Sequence, residues 1–153
     1  MEFSAAVLAR GWKEQIKVSN KLMIYCDGGA RGNPGPAAIG VVVRDARHKF
    51  LASISKKIGD STNNVAEYSS VIVALDWIQD NAKDANVEFF LDSELVVRQL
   101  KGEYKVKDSK LKELFLDIEE RILQIGKEPL FSYIPRSKNS KADALVNQAL
   151  DKK

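Results

Sequence analysis

A single cysteine stands among the 153 residues, so no internal disulfide can form. That scarcity fits a reducing, cytoplasmic setting. Cys26 sits in an apolar run and reads as a small packed hydrophobe rather than a reactive thiol. Histidine is equally scarce, with His48 alone in a polar turn, where a solvated surface role suits it. One Cys and one His cannot assemble the usual Cys/His zinc site. Any metal must therefore be held by oxygen, which points to Mg²⁺ or Mn²⁺. No apolar run approaches the ~18 residues needed to cross a bilayer, so no membrane partner is expected. Residues 5–9 are too short for a signal-peptide core, and Glu2 occupies a place where positive charge belongs. The net charge of +3 does not by itself demand a nucleic-acid partner.

What is present is ordinary for a globular chain of one domain, with 44% hydrophobic and 29% charged residues. Residues 1–20 read as an extension. In it Ala5, Leu8, Ala9, Trp12 and Ile16 fall at helical spacing, although Gly11 weakens the pattern. From residue 21 to 153 the pattern is regular. Strands are expected over about 22–27, 38–44 and 50–58, joined by short connections as an antiparallel meander. The period then changes. A helix over 65–80 carries Tyr68, Val71, Ile72, Leu75 and Ile78 on one stripe. A strand over 87–91, a short helix over 93–100, a long helix over 109–125, a strand over 129–134 and a last helix over 139–150 follow. The fold class is α/β: a mixed five-stranded sheet, with a three-strand meander, two parallel strands and helices on its faces.

Four carboxylates sit at element boundaries. Asp27 ends an apolar strand, where an unpartnered charge is costly unless a metal or another cation answers it. Asp27-Gly28 is also a strong hairpin signal. Glu67 stands three after Asn64, and Asp143 three after Ser140, both at capping-box spacing. Asp92 closes a strand and could cap the helix behind it. In an open sheet of this kind, however, neighbouring strand ends converge on one crevice. Four carboxylates meeting there cannot all ionise without compensation, and two divalent cations about 3.5–4 Å apart would supply it.

The run Tyr25-Cys26-Asp27-Gly28-Gly29-Ala30-Arg31-Gly32-Asn33-Pro34-Gly35-Pro36 resembles the first signature of the type 1 ribonuclease H family. Thr62-Asn63-Asn64-x-x-Glu67-Tyr68 resembles the second, Leu91-Asp92-Ser93 the third and Asn139-x-x-Ala142-Asp143-x-Leu145-x-Asn147 the fourth. The likeness runs in order from about 21 to 152. It implies an endonuclease that hydrolyses the RNA strand of RNA–DNA hybrids with two Mg²⁺ (or Mn²⁺) ions, leaving 5′-phosphate and 3′-hydroxyl ends. Asp27, Glu67, Asp92 and Asp143 would be catalytic and hold the ions. Gly28, Arg31, Asn33 and Asn64 would meet the RNA strand, Asn63 the DNA strand, and Thr62 would lie near a DNA phosphate. No obligatory protein partner is implied, and a monomer is expected.

Two departures from the family pattern stand out. Tyr133 occupies the position of a flexible histidine, and a phenol is a poor proton shuttle at neutral pH, so reduced but real turnover is expected. The segment 101–107 is also too short for the basic insertion of some relatives. Lys101, Lys105, Lys107, Lys110 and Lys112 nonetheless cluster there, with Arg136, Lys138 and Lys141 beside the last signature. A hybrid-binding module without catalysis, its acids serving as caps, is the competing reading. A resolvase or transposase core is another, against which the Asn-rich second signature argues. A phosphorylation receiver would need an all-parallel alternation that the opening meander contradicts.

Overall fold

Strand β2 (Lys21–Ala30) runs through the middle of the sheet, and its neighbours decide what its end can reach. The computed structural model describes residues 6–13 and 20–152. The chain continues as β3 (Gly35–Asp45), β4 (Phe50–Ser61), α1 (Asn63–Asn81), β5 (Asn86–Leu91), α2 (Glu94–Leu100), α3 (Ser109–Ile125), β6 (Leu130–Tyr133) and α4 (Ser140–Asp151), with a short β1 (Ala6–Leu8) ahead of β2. In the sheet order β1-β4-β3-β2-β5-β6, the β4, β3 and β2 strands pair antiparallel, while β5 and β6 pair parallel to β2 and to each other. Meander and parallel pair are as the sequence implies.

The sixth strand is new. Ala6–Leu8 pair antiparallel with Ala52–Ile54, so this part of the extension is a sheet edge rather than a helix. Trp12 does turn an apolar face inward, its ring 5.3 Å from that of Trp77. Ala5 and Ile16, which complete the helical spacing, lie outside the described residues.

Alternation along β2 buries Leu22, Ile24 and Cys26 under α1, while Tyr25 stacks on Phe90 on the other face. Helix α1 is the core helix, packed between the sheet and α3. Full burial of Tyr68, Val71, Leu75 and Ile78 contributes about 2 kcal/mol each. That sum outweighs the several kcal/mol that the buried Glu67 costs on the same helix. Helix α3 lays Leu111, Ile118, Ile122 and Ile125 on that core. Asp108 accepts from the Leu111 N–H at its start, and Gly126 ends it in the left-handed region at φ 86°. Helix α4 covers the opposite face over β3 and β4, where Val146, Ala149 and Leu150 pack on Ala38.

Candidate active site

The Asp27-Gly28 pair does not make the hairpin turn. Strand pairing continues through Asp27↔Gly40 to Ala30↔Ala37, and the bend falls at residues 31–34, closed by the Arg31 N–H donating to the Pro36 carbonyl at 2.8 Å. Asp27 is thus carried inside the sheet, only 7% exposed. Its Oδ1 accepts from the Gly28 N–H at 3.0 Å.

Two glycines set the approach of both helices to this point. A Cβ on Gly28 would collide with the backbone of Ala66 and Glu67, and a Cβ on Gly40, opposite Asp27, with the Ala142 carbonyl. Their bareness lets α1 bring Glu67, and α4 bring Asp143, against the strand. Gly28→Ala should therefore push α1 off β2, costing about 4 kcal/mol or more. The thermal midpoint is expected to fall by roughly 10 °C, and an unchanged midpoint would show that the helix can yield.

The capping readings of the three other acids all fail. Thr62 caps α1, its Oγ1 accepting from the Val65 N–H at 3.2 Å, and Glu67 lies past the first turn. Ser93, not Asp92, caps α2 through Val96. Helix α4 has no side-chain cap, and Asp143 stands exposed in its first turn. Released from capping, these carboxylates face one cleft of about 510 Å³ that Asp27, Glu67, Asp92 and Asp143 line together. One oxygen from each of Asp27, Glu67 and Asp92 lies within 4.8 Å of the others.

Electrostatics follow from that crowding. Burial first, then the charges of Asp92 and Asp143, push Asp27 up to about 7, although hydrogen bonds from Glu67 and Gly28 oppose the rise. Glu67, 7% exposed, is raised well above the carboxylate range by burial and then by Asp27 and Asp92, with Arg136 pulling weakly the other way. Its Oε2 is buried and has no hydrogen-bond partner among the described residues. An orphaned carboxylate oxygen beside two more carboxylates suits a hard divalent cation. Asp27, Glu67 and Asp92 could hold one, with Asp143 at the rim. Burial pushes the Cys26 thiol up beyond any reactive range, as its inert reading requires.

Of the residues matched to substrate contacts, Gly28, Arg31, Asn63 and Asn64 line the cleft, whereas Asn33 and Thr62 do not. Asn33 instead accepts from the Asn63 N–H at 2.9 Å, and Asn63 Oδ1 accepts from the Ala30 N–H at 2.9 Å. These bonds brace the turn against α1. Tyr133 is half exposed at the end of β6 and does not line the cleft. The sequence pattern assigns no role to Asn139. It is 1% exposed and donates from Nδ2 to the Cys26 carbonyl at 2.9 Å and to Asp92 Oδ2 at 3.1 Å, tying two acid-bearing strands together. Its only signal is a place in the fourth signature. Arg31 matches the family through its backbone, yet its side chain reaches α4, 2.7 Å from Asp151 and 3.3 Å from Asn147 Oδ1.

A mixed sheet with acids converging from a central strand, its parallel neighbour and two helices defines the ribonuclease H-like class of fold. A family model described as reverse transcriptase-like matches residues 25–149, and the chain belongs to this family as a type 1 ribonuclease H. It is similar to LC11-RNase H1, isolated from compost, at 51% identity and a TM-score of 0.81 over 86% of this chain and 96% of that one. The complex of LC11-RNase H1 with an RNA/DNA hybrid matches at 49% identity and a TM-score of 0.82, over 85% and 96%. A bifunctional protein of Mycobacterium tuberculosis is 42% identical over 133 residues, 86% of this chain but 36% of that protein. The chain thus spans about a third of the length of such curated relatives.

Proposed function

We propose that the chain hydrolyses the RNA strand of RNA–DNA hybrids, leaving 5′-phosphate and 3′-hydroxyl ends, with two Mg²⁺ ions (or Mn²⁺) held by Asp27, Glu67, Asp92 and Asp143. The observation that carries this reading is the mutually repelling carboxylate triad, with Asp27 and Glu67 buried, Asp92 part-exposed and one Glu67 oxygen left unpartnered. When bound, divalent ions there would polarise the scissile phosphate and acidify a water. The chain's own residues do the rest. Asp27 and Glu67 are fixed by strand and helix, and Asn139 aims Asp92 through its 3.1 Å bond. Asp143 is held through α4, where Asn147 Nδ2 donates to its carbonyl at 3.2 Å. The hybrid complex of the compost relative supports the substrate class. Selection for a hybrid needs contacts to 2′-hydroxyls in a shallow groove, and Gly28, Arg31, Asn63 and Asn64 are at hand along the cleft. Cleavage of a labelled hybrid with Mg²⁺, beside duplex DNA and duplex RNA, tests the reading. Equal cutting of all three, or none, would overturn it.

The lysine-rich connector supplies phosphate contacts in this reading. Lys101 and Lys110 are engaged with Glu103 and Glu113, whereas Lys105, Lys107 and Lys112 make no ion pair among the described residues and line a groove with Tyr104 and Phe115. Lys105→Ala with Lys107→Ala should weaken hybrid binding and lower the salt slope of log affinity by about one for each phosphate no longer neutralised. An unchanged slope would assign these lysines to solvent. Tyr133→His should raise turnover severalfold near neutral pH by adding an imidazole that titrates there. No change would remove that position from the reaction.

A further inference from the structure

The groove that Lys105, Lys107 and Lys112 line measures about 790 Å³, and much of its surface is not basic. It lies at the far end of α2 from Asp92, about 10 Å along a helix of seven residues. Val106 and Phe115 rest on the core there and leave part of their apolar surface uncovered. Tyr104, 49% exposed, stands in the wall. The Arg98 guanidinium lies 5.4 Å from the centre of its ring and is itself held by Glu94 at 2.9 Å and Glu103 at 3.0 Å. The ring is thus backed by a fixed cation, while half of the residue stays open. Its loop is tied down as well, because the Glu103 and Tyr104 N–H groups both donate to the Arg98 carbonyl. A ring held in place beforehand loses little freedom when a flat partner stacks on it.

A second observation comes from the floor. Gln99 is 6% exposed, and its Oε1 accepts from the Tyr68 hydroxyl at 2.6 Å. Its Nε2 makes no hydrogen bond among the described residues. Unlike the sealed oxygens of Glu67 and Asn139, that atom keeps accessible surface, and Gln99 lines this groove. Turned the other way, the amide would meet Tyr68 through Nε2 and present Oε1, so one polar end stays available in either setting. Cations alone would accept any anion. A stacking face, an apolar floor and a reachable amide ask for an occupant that is flat, has polar edge atoms and repeats its negative charge. Glu103, the one carboxylate in the lining, is engaged by Arg98 and Lys101 and does not answer the lysines. We infer that the groove binds an unpaired stretch of nucleic acid adjoining the hybrid. A base stacks on Tyr104 with its edge toward Gln99, and Lys105, Lys107 and Lys112 take the flanking phosphates. A paired base is already stacked within its duplex, so the groove selects single strand over hybrid. The inference rests on the reading of the chain as one that engages hybrids, and adds that hybrids with a single-stranded tail are favoured.

Labelled strands of about eight nucleotides, one of deoxyribose, one of ribose and one without bases, test it when titrated in chelator beside a Glu-rich peptide of equal charge. The two strands with bases should bind about fivefold or more tighter than the abasic strand or the peptide. Their backbone amide shifts should mark residues 99–107 and 112–115. Tyr104→Ala should bring them down to the abasic level, and Tyr104→Phe should keep the parent's affinity. Tyr104→Leu, apolar without an aromatic face, is the check should the Ala variant fold poorly. A hybrid with a single-stranded tail should bind about fivefold tighter than a blunt one, a difference lost in Tyr104→Ala. Tighter binding of the deoxyribose strand would make a DNA tail the occupant, tighter binding of the ribose strand an RNA tail, and equal binding either. Equal affinity for the abasic strand or the peptide, full affinity in Tyr104→Ala, or shifts confined to residues 27–31 and 63–67 would overturn the inference. None of these measurements needs cutting, so hybrid cleavage can fail while the groove holds its strand, and the groove can fail while cleavage stands.

Discussion

Asp27→Asn should lower the rate of hybrid cleavage by about a thousandfold or more at saturating Mg²⁺, the several kcal/mol that a missing ion site is worth. The substitution keeps size and shape. Its amide oxygen can still accept from the Gly28 N–H, so the strand and the pairing with Gly40 stay as they are. What goes is the charge at the centre of the triad, a carboxylate that feels both Asp92 and Asp143. Binding of the hybrid without divalent ions should hold or tighten, because one repulsion toward the phosphates is gone. That split separates the enzyme from a binding module. If the acids served only the fold, the variant would cut as poorly or as well as its parent, and chelation of Mg²⁺ would change nothing. Retention of activity within tenfold, on the scale where 1.36 kcal/mol is a factor of ten, would sink the site assignment.

The parts of this fold legible in the sequence are those where local and tertiary preferences agree. Helix α3 begins at the capping Asp108 and ends at Gly126, and its apolar stripe faces the core, so every signal along 108–126 gives one answer. The four acids are legible for another reason, since each stands beside a change of period. Their local environment is not. Asn64-x-x-Glu67 has the spacing of a capping box, but Thr62 reaches the free N–H first, and spacing alone cannot tell which residue begins a helix. Asp27-Gly28 carries the composition of a turn. Long-range pairing from Gly40 to Ala37 keeps that segment extended, a tertiary override of local preference. Strand β1 has only three residues, held by Ala52–Ile54 far along the chain, and nothing within 6–8 announces that partner. Asn139 is hidden for the same cause, because its value lies in burial and in two bonds made to other strands.

Without divalent ions the protein should lose stability as pH rises from about 4 to above 7, relative to Asp27→Asn. The direction follows from proton counts. In the unfolded chain an Asp gives up its proton near 3.9, whereas in the fold burial and neighbouring charge hold the Asp27 proton until about 7. Between those values the folded state binds more protons, so stability falls with rising pH and the loss is complete above the folded value. At about 1.4 kcal/mol per pH unit, Asp27 alone accounts for roughly 4 kcal/mol at pH 8. Glu67, raised in the same direction, adds to the slope. Thermal scans in chelator should therefore find Asp27→Asn more stable than its parent at pH 8, by roughly 8–16 °C at the 2–4 °C per kcal/mol expected for this size, and nearly equal to it at pH 4. Adding Mg²⁺ should close the gap by stabilising the parent in proportion to its occupancy, while the variant gains little. A parent as stable as Asp27→Asn in chelator at pH 8 would mean that the triad is not strained when ionised. The same crowding that costs the empty fold its stability is what gives a divalent ion its affinity, so the two measurements must move together.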